Sequence, residues 1–346
     1  MKNTDISETL AENVRAAAAR KTRLAVLGSG SKRFYTGPPE GEPLDVSGHR
    51  GIVSYDPTEL VVTARAGTPL ADVEMALSEH GQMFAFEPPH FGPSATLGGA
   101  IACGFSGPRR PYAGAARDFV LGVKMINGRG EILSFGGQVM KNVAGYDLSR
   151  LMVGSLGTLG VLLDISLKVL PKPARELTLT FERAADEAIR AMNTWAGRPL
   201  PLSAACHSGD TLFIRLSGAV QAVQAAHAKL GGEVLEKGED FWRELREHRR
   251  GFFQDDAPLW RLSVPPATPS LTLPGKWLID WGGGQRWLKT RATPGELHAA
   301  AARAYGHAAL FAHDPSDPRT PPATSHLHRR LKAAFDPHTV FNRMAS

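Results

Sequence analysis

A short loop of small residues follows an apolar run near the start of the chain, and its composition is typical of a phosphate-binding turn. The stretch LAVLGSGSK (24–32) ends in these residues: Gly28, Ser29, Gly30, Ser31 and Lys32. Main-chain N–H groups, two hydroxyls and an ammonium can donate hydrogen bonds to an anion there. The dinucleotide pattern G-x-G-x-x-G lacks its third glycine, because Arg33 stands in that place, and the pattern G-x-x-x-x-G-K-[ST] is absent. Taken alone, the loop is more typical of an ordinary turn at the end of a strand.

Two further stretches combine glycine, alanine and serine in the same half of the chain. PSATLGGAIACGFSG (93–107) has almost no side-chain volume, so its backbone can lie against a large flat ligand or a pyrophosphate. The alternative is a tightly packed helix start. GSLGTLG (154–160) again leads into an apolar strand, and residues 1–173 contain 23 of the 36 glycines. Three such stretches together predict one extended ligand with a diphosphate, held largely by backbone.

Composition excludes several classes of protein. The 346 residues, 42% of them hydrophobic, suffice for two or three domains with full cores. The net charge of +6 comes from interspersed charges of both signs, which argues against nucleic-acid binding. Cys103 and Cys206 are too few for an iron–sulfur cluster, which needs about four thiolates. The first residues lack the apolar segment of a signal peptide, and no apolar run reaches about 20 residues. We therefore expect a soluble, intracellular protein.

The elements that must position these stretches predict an α+β fold. Before residue 173 the patterns predict helices at 7–20 and 68–81, strands at 24–27, 51–56, 59–67 and 82–89, a hairpin turning at Asn127-Gly128, and a long strand ending at 171. Beyond it they predict strands at 177–182 and 211–217 alternating with helices at 184–195 and 219–230. The first half lacks regular β-α-β alternation, which favours α+β over a doubly wound sheet.

These motifs, in this order, resemble the FAD-binding family of the vanillyl-alcohol-oxidase/p-cresol-methylhydroxylase (PCMH) type. The matching stretches are LGSGSK, PPHFGPSATLGGAIACGFSG, RDFVLGVKMINGRGEIL, KNVAGYDLSRLMVGSLGTLGVLLDISLKVLP and, near the C-terminus, LKAAFDPHTVFNRM. Within the family the chain resembles the shorter flavoprotein subunits of bacterial glycolate oxidases. The resemblance implies a two-subdomain PCMH-type FAD-binding domain at 1–173 and a smaller α+β cap domain at 174–300, with an antiparallel sheet and helices. It also implies that a C-terminal segment, 301–346, returns to the flavin.

The resemblance also implies which residues bind FAD. The residues expected around the diphosphate are Leu27, Gly28, Ser29, Gly30, Ser31 and Lys32. Those expected along the diphosphate and ribityl chain are Thr96, Leu97, Gly98 and Gly99, and those beside the isoalloxazine are Ala102, Cys103, Gly104, Phe105 and Ser106. The rest of the set is Gly157, Gly160 and Val161 on the adenosine side, with Pro88 and Asn342. The diphosphate loop has no histidine and the segment around Cys103 has no attachment motif, so we expect non-covalent FAD.

The function that the resemblance implies is that of an FAD-binding subunit in a glycolate oxidase-type complex. Such a complex oxidises a small 2-hydroxy acid, glycolate to glyoxylate, and passes the electrons to an iron–sulfur subunit. The expected partners are that subunit and a sister flavoprotein subunit. The expected location is cytoplasmic, with peripheral association at the inner face of the membrane through the complex.

The chain departs from the larger, catalytic flavin subunits at two places. Leu156 stands where those subunits usually have the glutamate of Gly-Ser-Glu-Gly, and their metal motif GHxGDGNxH is replaced by YGHAALFAHD, with His307 and His313. We therefore expect no metal and assign no catalytic residue. The candidate cations for a substrate carboxylate are Arg261, Arg286 and Arg291. The alternatives are a non-catalytic assembly subunit and a stand-alone FAD-linked oxidase for another alcohol.

Overall fold

The computed structural model describes residues 3–38, 40–137, 147–312 and 325–342. The chain divides into two compact units. Unit 1 comprises Met1–Phe105, Ala115–Pro171 and His313–Ser346, and unit 2 comprises Ser106–Gly114 and Lys172–Ala312. Residues 141–146 and 343–344 of the family motifs, and His313, lie outside the described ranges. Within those ranges no helix has the length and apolar character needed to cross a membrane.

Unit 1 contains short helices and two kinds of sheet. Its helices are α1 (Ser7–Arg20), α2 (Arg33–Thr36), α3 (Leu70–Glu79), α4 (Leu97–Cys103), α6 (Ala116–Phe119), α7 (Leu148–Leu151) and α12 (Ser325–Phe335). Its strands are β1 (Leu24–Leu27), β2 (Glu42–Asp45), β3 (Ile52–Asp56), β4 (Val61–Arg65), β5 (Gln82–Met83), β6 (Val120–Ile126), β7 (Ile132–Gly136), β8 (Val161–Lys168) and β9 (Leu170–Pro171).

The sheets of unit 1 bring distant parts of the chain together. β1 and β2 pair in parallel, whereas β3-β4-β8-β6-β7 form an antiparallel sheet in that order. β6 and β7 form the hairpin predicted around Asn127-Gly128. The apolar face of α1, with Leu10 and Val14, packs in one core with Leu24 of β1, Leu163 of β8 and Phe341 near the C-terminus. This core places the end of β1 beside the start of β8.

Unit 2 is an eight-stranded antiparallel sheet with helices on both faces. Its helices are α5 (Arg110–Ala113), α8 (Ala185–Ala196), α9 (Val220–Leu230), α10 (Gly238–Arg246) and α11 (Pro294–Arg303). Its strands are β10 (Arg175–Glu182), β11 (Leu202–Ser208), β12 (Thr211–Gly218), β13 (Glu233–Val234), β14 (Leu259–Ser263), β15 (Lys276–Asp280), β16 (Gln285–Lys289) and β17 (His307–Leu310). The strand order is β13-β10-β12-β11-β15-β16-β14-β17. α8, α9 and α11 cover one face, while Phe241 of α10 stacks on Phe213 of the other.

Three contacts attach the segment 106–114 to unit 2. The Trp281 indole N–H donates to the carbonyl of Gly107 at 3.1 Å, and Arg110 lies 4.1 Å above the Trp281 ring. Arg109 forms an ion pair with Glu176 at the start of β10. These contacts are made by side chains more than 60 residues away along the chain, so no local pattern in the sequence indicates them.

The predicted α+β class is confirmed, and most of the local errors have a physical reason. Helices α8 and α9 and strands β10 and β12 match the predicted segments closely. The strand predicted at 82–89 is wrong beyond Met83, because Phe84, Ala85 and Phe86 are buried in the core without strand partners among the described residues and Glu87 adopts a φ of 47°. Strand β11 was not predicted, since LSAACHS has few residues of high strand propensity. Pairing with β12 and β15 on its two sides stabilises it.

Candidate functional site

A pocket of about 120 Å³ lies in unit 1 where β1, α4 and the start of β8 meet. Its lining consists of Val26, Leu27, Gly28, Ser29, Gly30, Ser31, Lys32, Arg33, Thr36, Val46, Ala66, Thr96, Gly98, Gly99, Ala102, Cys103, Leu156, Gly157, Gly160 and Leu162. All three small-residue stretches of the sequence contribute to it. The pocket is therefore the place where one extended ligand can contact all three.

The loop after β1 supplies hydrogen-bond donors. Within the described chain, no hydrogen bond engages the main-chain N–H groups of Gly28, Ser29 and Gly30. Successive main-chain N–H groups of this kind form an anion-binding concavity. Lys32 is buried, and its ammonium donates to the carbonyl of His90 at 3.0 Å and to the Ser31 hydroxyl at 3.2 Å. The ammonium thus adds positive charge to a loop that it also holds in place.

Helix α4 contributes shape to the pocket. Its first N–H groups are already paired, because Leu97 donates to Thr68, Gly98 to Ala66 and Gly99 to the Thr96 hydroxyl, the residue that caps the helix. A Cβ on Gly98 would lie 2.7 Å from the Ala66 Cβ and 2.9 Å from its carbonyl oxygen. The helix therefore approaches β4 more closely than any side chain at this position would permit. Gly99 lines the pocket as bare backbone.

The segment 154–160 forms the third wall and is attached to the end of α4. The main-chain N–H of Leu156 donates to Ala102 at 2.8 Å, and that of Gly154 donates to Ile101 at 3.1 Å. A Cβ on Gly160 would overlap the Met125 side chain and reach within 2.5 Å of the Ile126 carbonyl. Glycine at 160 is thus required for β8 to begin this close to β6.

The lining carries positive charge and no acid. Lys32 and Arg33 are the ionisable lining residues besides the Cys103 thiol, and no aspartate or glutamate is among the described residues of the lining. Two cations, three main-chain N–H groups with no hydrogen bond among the described residues, and walls rich in small residues suit a diphosphate attached to flat rings. The residues present therefore fit FAD.

The structure brings most of the predicted FAD-binding residues together. Those that line the pocket are Leu27, Gly28, Ser29, Gly30, Ser31, Lys32, Thr96, Gly98, Gly99, Ala102, Cys103, Gly157 and Gly160. Leu97 and Val161 are instead buried in the protein core, because helix and strand periodicity turns alternate residues away from the pocket. Gly104 ends α4, and Ser106 belongs to unit 2.

The remaining predicted residues lie outside the lining. Phe105 packs against Tyr35, with ring centroids 4.9 Å apart, and Pro88 is buried two residues before His90. Asn342 follows Phe341, which bridges to Leu24 of β1. The Asn342 Oδ1 is buried and has no hydrogen-bond partner among the described residues. An unpaired buried acceptor of this kind is uncommon and indicates a missing donor.

Several lining residues were not predicted from the sequence. They are Val26, Arg33, Thr36, Val46, Ala66, Leu156 and Leu162. Val26 and Leu156 lie inside the stretches rich in small residues and Arg33 follows the first of them, so the sequence could have indicated all three. Val46 and Ala66 follow β2 and β4, and nothing local in the sequence marks them, since pairing with β1 and β8 brings them to the pocket.

The three candidate cations of unit 2 differ in their surroundings. Arg286 is 2% exposed, and its guanidinium donates to the carbonyls of Gly283 at 2.7 Å and Thr268 at 2.6 Å. This arginine holds two loops together. Arg291 is exposed.

Arg261 is half-buried on the sheet face that also carries Trp287, and it makes no ion pair with the described residues. Burial, followed by the charge of Arg261, lowers the pKa of His307. The described residues contain no group of three or more His, Cys, Asp or Glu side chains placed to hold a metal ion. Arg261 thus differs from Arg286 in that its guanidinium forms no hydrogen bond or ion pair with the described residues, and it lies 6.0 Å from the centroid of the Phe311 ring.

Comparison with known proteins agrees with the geometry. The profile of a family described as an FAD binding domain matches residues 5–136. Glycolate oxidase subunit GlcE of Escherichia coli (strain K12) is 50% identical over 345 residues, which cover 99% of this chain and 97% of that protein. Glycolate oxidase subunit GlcD of Bacillus subtilis (strain 168) is 36% identical over 145 residues, 42% of this chain and 31% of that protein.

A solved structure of alkyldihydroxyacetonephosphate synthase shares the fold. Its TM-score is 0.67 at 14% identity, covering 96% of this chain and 73% of that one. The predicted FAD-binding fold is confirmed by this likeness and by the family match.

Proposed function

Because the chain belongs to the family of the glycolate oxidase subunit GlcE, a family of FAD-linked oxidoreductases, we propose that it is the FAD-binding subunit of a complex that oxidises glycolate to glyoxylate. The observation that carries the proposal is the pocket of unit 1. Its loop offers the N–H groups of Gly28, Ser29 and Gly30 and the charge of Lys32, while α4 and the segment 154–160 offer bare backbone. Bound FAD would accept the two electrons that leave the hydroxy acid.

We propose that the FAD is held without a covalent bond. The loop 28–32 contains no histidine, and the segment around Cys103 has no motif for attaching a flavin. Denaturing the flavin-loaded protein in acid and centrifuging it tests this point. Yellow colour in the supernatant is the expected result, whereas colour retained in the pellet contradicts it.

Unit 2 is proposed as the substrate domain, with Arg261 as the cation for the carboxylate. A carboxylate needs a positively charged partner, and a planar guanidinium matches its two oxygens. Arg286 is already bound to two carbonyls, whereas Arg261 is half-buried and has no acidic partner among the described residues. Burial together with the charge of Arg261 also favours a neutral His307 at neutral pH, which leaves the arginine as the positive group of this pair.

The proposed partners follow from the need to carry electrons away from the reduced flavin. Oxidation of glycolate releases two electrons and two protons, and they must leave the flavin before the next turnover. Two cysteines cannot bind an iron–sulfur cluster, so we assign that centre to a separate subunit, with a sister flavoprotein as third member. The complex is proposed to lie in the cytoplasm at the inner face of the membrane.

A visible spectrum tests the proposed cofactor. The chain is purified alone, incubated with FAD, freed from excess FAD by gel filtration and scanned for flavin absorbance. Stoichiometric flavin bands are expected. A colourless protein that is nevertheless folded by circular dichroism contradicts the proposal.

A second candidate function is that of a flavoprotein that relays electrons or supports assembly without oxidising substrate itself. Leu156, an apolar residue, forms part of the pocket wall where the catalytic subunits that the chain resembles usually have glutamate. Anaerobic addition of glycolate to the flavin-loaded chain separates the two functions. Bleaching of the isolated chain supports its own catalysis, and bleaching that requires the sister subunit supports relay or assembly.

A further inference from the structure

The ammonium of Lys332, in α12, is surrounded by oxygen atoms. It lies 2.6 Å from the carbonyl oxygen of Thr158, 2.7 Å from a carboxylate oxygen of Asp336, and 2.9 and 3.3 Å from the carbonyl oxygens of Asn342 and Phe341. Its side chain is 15% exposed. An ammonium has three N–H donors, so these four oxygens use all of them. Lys332 therefore has no donor left for a ligand and acts on the protein itself.

Asp336 completes the arrangement from the other side. Its carboxylate is fully buried and accepts hydrogen bonds from the main-chain N–H groups of Val340 at 2.8 Å and Phe341 at 2.9 Å. The chain from 336 to 341 is thus folded around one carboxylate. A buried ion pair generally adds little stability compared with an apolar pair, but removing one partner leaves a costly lone charge. The Lys332–Asp336 pair therefore contributes mainly by fixing the positions of the chain segments that it connects.

The pair joins two walls of the FAD pocket. Thr158 lies between Gly157 and Gly160, which line the third wall. On the other side, the carbonyl of Val340 accepts a 2.7 Å hydrogen bond from Leu24, the first residue of β1, and β1 leads into the loop 28–32. One ammonium thus connects the segment 157–160 with the C-terminal segment that borders β1. The same segment ends at Asn342, whose buried Oδ1 is unpaired among the described residues.

We propose that Lys332 is a positioning residue of the cofactor site, which sets the distance between the loop after β1 and the segment 157–160 by tying both to the C-terminal segment through Asp336. Lys332 does not line the pocket. Its loss moves the walls that contact FAD while leaving the contacting residues unchanged. The inference rests on the proposed FAD binding and adds a residue that the resemblance does not name.

The test compares FAD affinity with thermal stability in the full-length apoprotein. Lys332→Met removes the ammonium and keeps most of the side-chain volume. The Kd for FAD, from quenching of flavin fluorescence, is expected to rise by about tenfold or more, as when residues that support metal ligands are removed. Leu77→Ala is the matched control, because it removes a buried apolar side chain from α3 in the same unit and leaves the Lys332–Asp336 pair in place. When Leu77→Ala lowers Tm by the same amount, it is expected to change the Kd for FAD by less than about twofold, because substitutions at sites without shared partners act independently.

Each outcome has a definite meaning. An unchanged Kd in Lys332→Met, or an equal rise in Leu77→Ala at the same Tm, overturns the positioning role. If Lys332→Met does not fold, Asp336→Asn decides, because it keeps the shape of the side chain and removes the charge that holds the ammonium. A Kd for Asp336→Asn that matches the unsubstituted chain then overturns the proposal. If the unsubstituted chain takes up no FAD, the proposed cofactor fails first, and this inference fails with it.

Discussion

The pocket of unit 1 and the sheet of unit 2 arrange polar groups in opposite ways. Half of the pocket's described lining residues are glycine, alanine or serine, and Gly98 and Gly160 sit where an added Cβ would meet other atoms. In unit 2, the buried arginines Arg109, Arg215 and Arg286 are each paired with polar groups. Glu176 meets Arg109 and the Ser217 hydroxyl, and Arg215 donates to the Ser203 hydroxyl at 2.9 Å. Gly98 and Gly160 therefore tolerate no added atom, whereas the sheet of unit 2 is sensitive to the loss of a polar partner.

The largest expected effect comes from adding atoms to the pocket wall. Gly98→Val places a branched side chain against Ala66, at a distance where the first carbon is already 2.9 Å from the carbonyl oxygen. We expect a loss of about 3 kcal/mol in the free energy of unfolding and no FAD uptake. Urea denaturation and FAD titration measure the two effects. Gly99→Ala is the control, because its Cβ would meet the Thr96 hydroxyl alone at 3.1 Å, and it is expected to fold but to bind FAD more weakly.

Removing a partner from the sheet of unit 2 is expected to have the next largest effect. Glu176→Ala leaves Arg109, 7% exposed, without its carboxylate, and we expect a loss of about 2 kcal/mol in the free energy of unfolding. Lys276→Ala is the matched control, because it breaks the exposed pair with Asp255 and costs at most about 1 kcal/mol. Equal losses in the two variants would show that the burial of charge in unit 2 does not matter.

The Glu176 pair also predicts a dependence on pH. Burial raises the pKa of Glu176, but the charges of Arg215 and Arg109 and the hydrogen bonds of Ser217 and Arg109 outweigh burial and lower it below its ordinary value. The stabilisation is complete above the ordinary pKa of a glutamate, about 4.3, and is lost as the pH falls through the lowered pKa. The difference in Tm between the unsubstituted chain and Glu176→Ala should therefore shrink below that pH.

Arg261 tests whether unit 2 also binds the substrate. Arg261→Gln is expected to raise the KM for glycolate of the assembled complex by about tenfold, or about 1.4 kcal/mol, because the carboxylate loses its cation. Arg291→Gln, at an exposed position, is expected to leave KM unchanged. A normal KM in Arg261→Gln, measured by steady-state oxidation of glycolate, would remove the substrate role from this arginine.

The smallest effect at neutral pH is expected at His248 in unit 2. Its ring stacks on Phe253 at 4.0 Å, and burial, followed by the charges of Lys289 and Arg261, lowers its pKa to about 3. The unfolded chain takes up a proton near pH 6.5 and the folded chain does not, so stability is complete above pH 6.5 and falls as the pH decreases towards 3.

His248→Phe keeps a ring against Phe253 and cannot take up a proton. It is expected to be close to the unsubstituted chain at pH 7.5 and to remove a slope of up to about 1.4 kcal/mol for each pH unit below 6.5. Urea denaturation between pH 7.5 and 5 measures this slope. His326→Phe, at an exposed position on α12, is expected to leave the slope unchanged.

The amino-acid sequence alone determined which types of residue form the candidate cofactor site. A pocket built from backbone requires small residues, and a glycine or alanine is visible without any knowledge of the fold. For this reason the three stretches 27–32, 96–106 and 154–161 are predicted to form one site, and the pocket contains residues of all three, although Gly104, Phe105, Ser106 and Val161 are not in its described lining. The α+β class was predictable in the same way, since the order of strand and helix patterns, with no regular alternation in the first half, can be read locally along the chain.

Tertiary structure alone decided the roles of the large side chains. Arg261 and Arg286 are equivalent in sequence, and only the pairing of β14 with β16 and the loop around Gly283 leaves one available and buries the other. Val46 and Ala66 line the pocket, and Lys332 donates to the carbonyl of Thr158 beside it. All three are brought there by elements that lie far apart in the chain. The physical reason is that the absence of a side chain is a property of one residue, whereas a hydrogen bond or an ion pair belongs to two residues whose distance the fold sets.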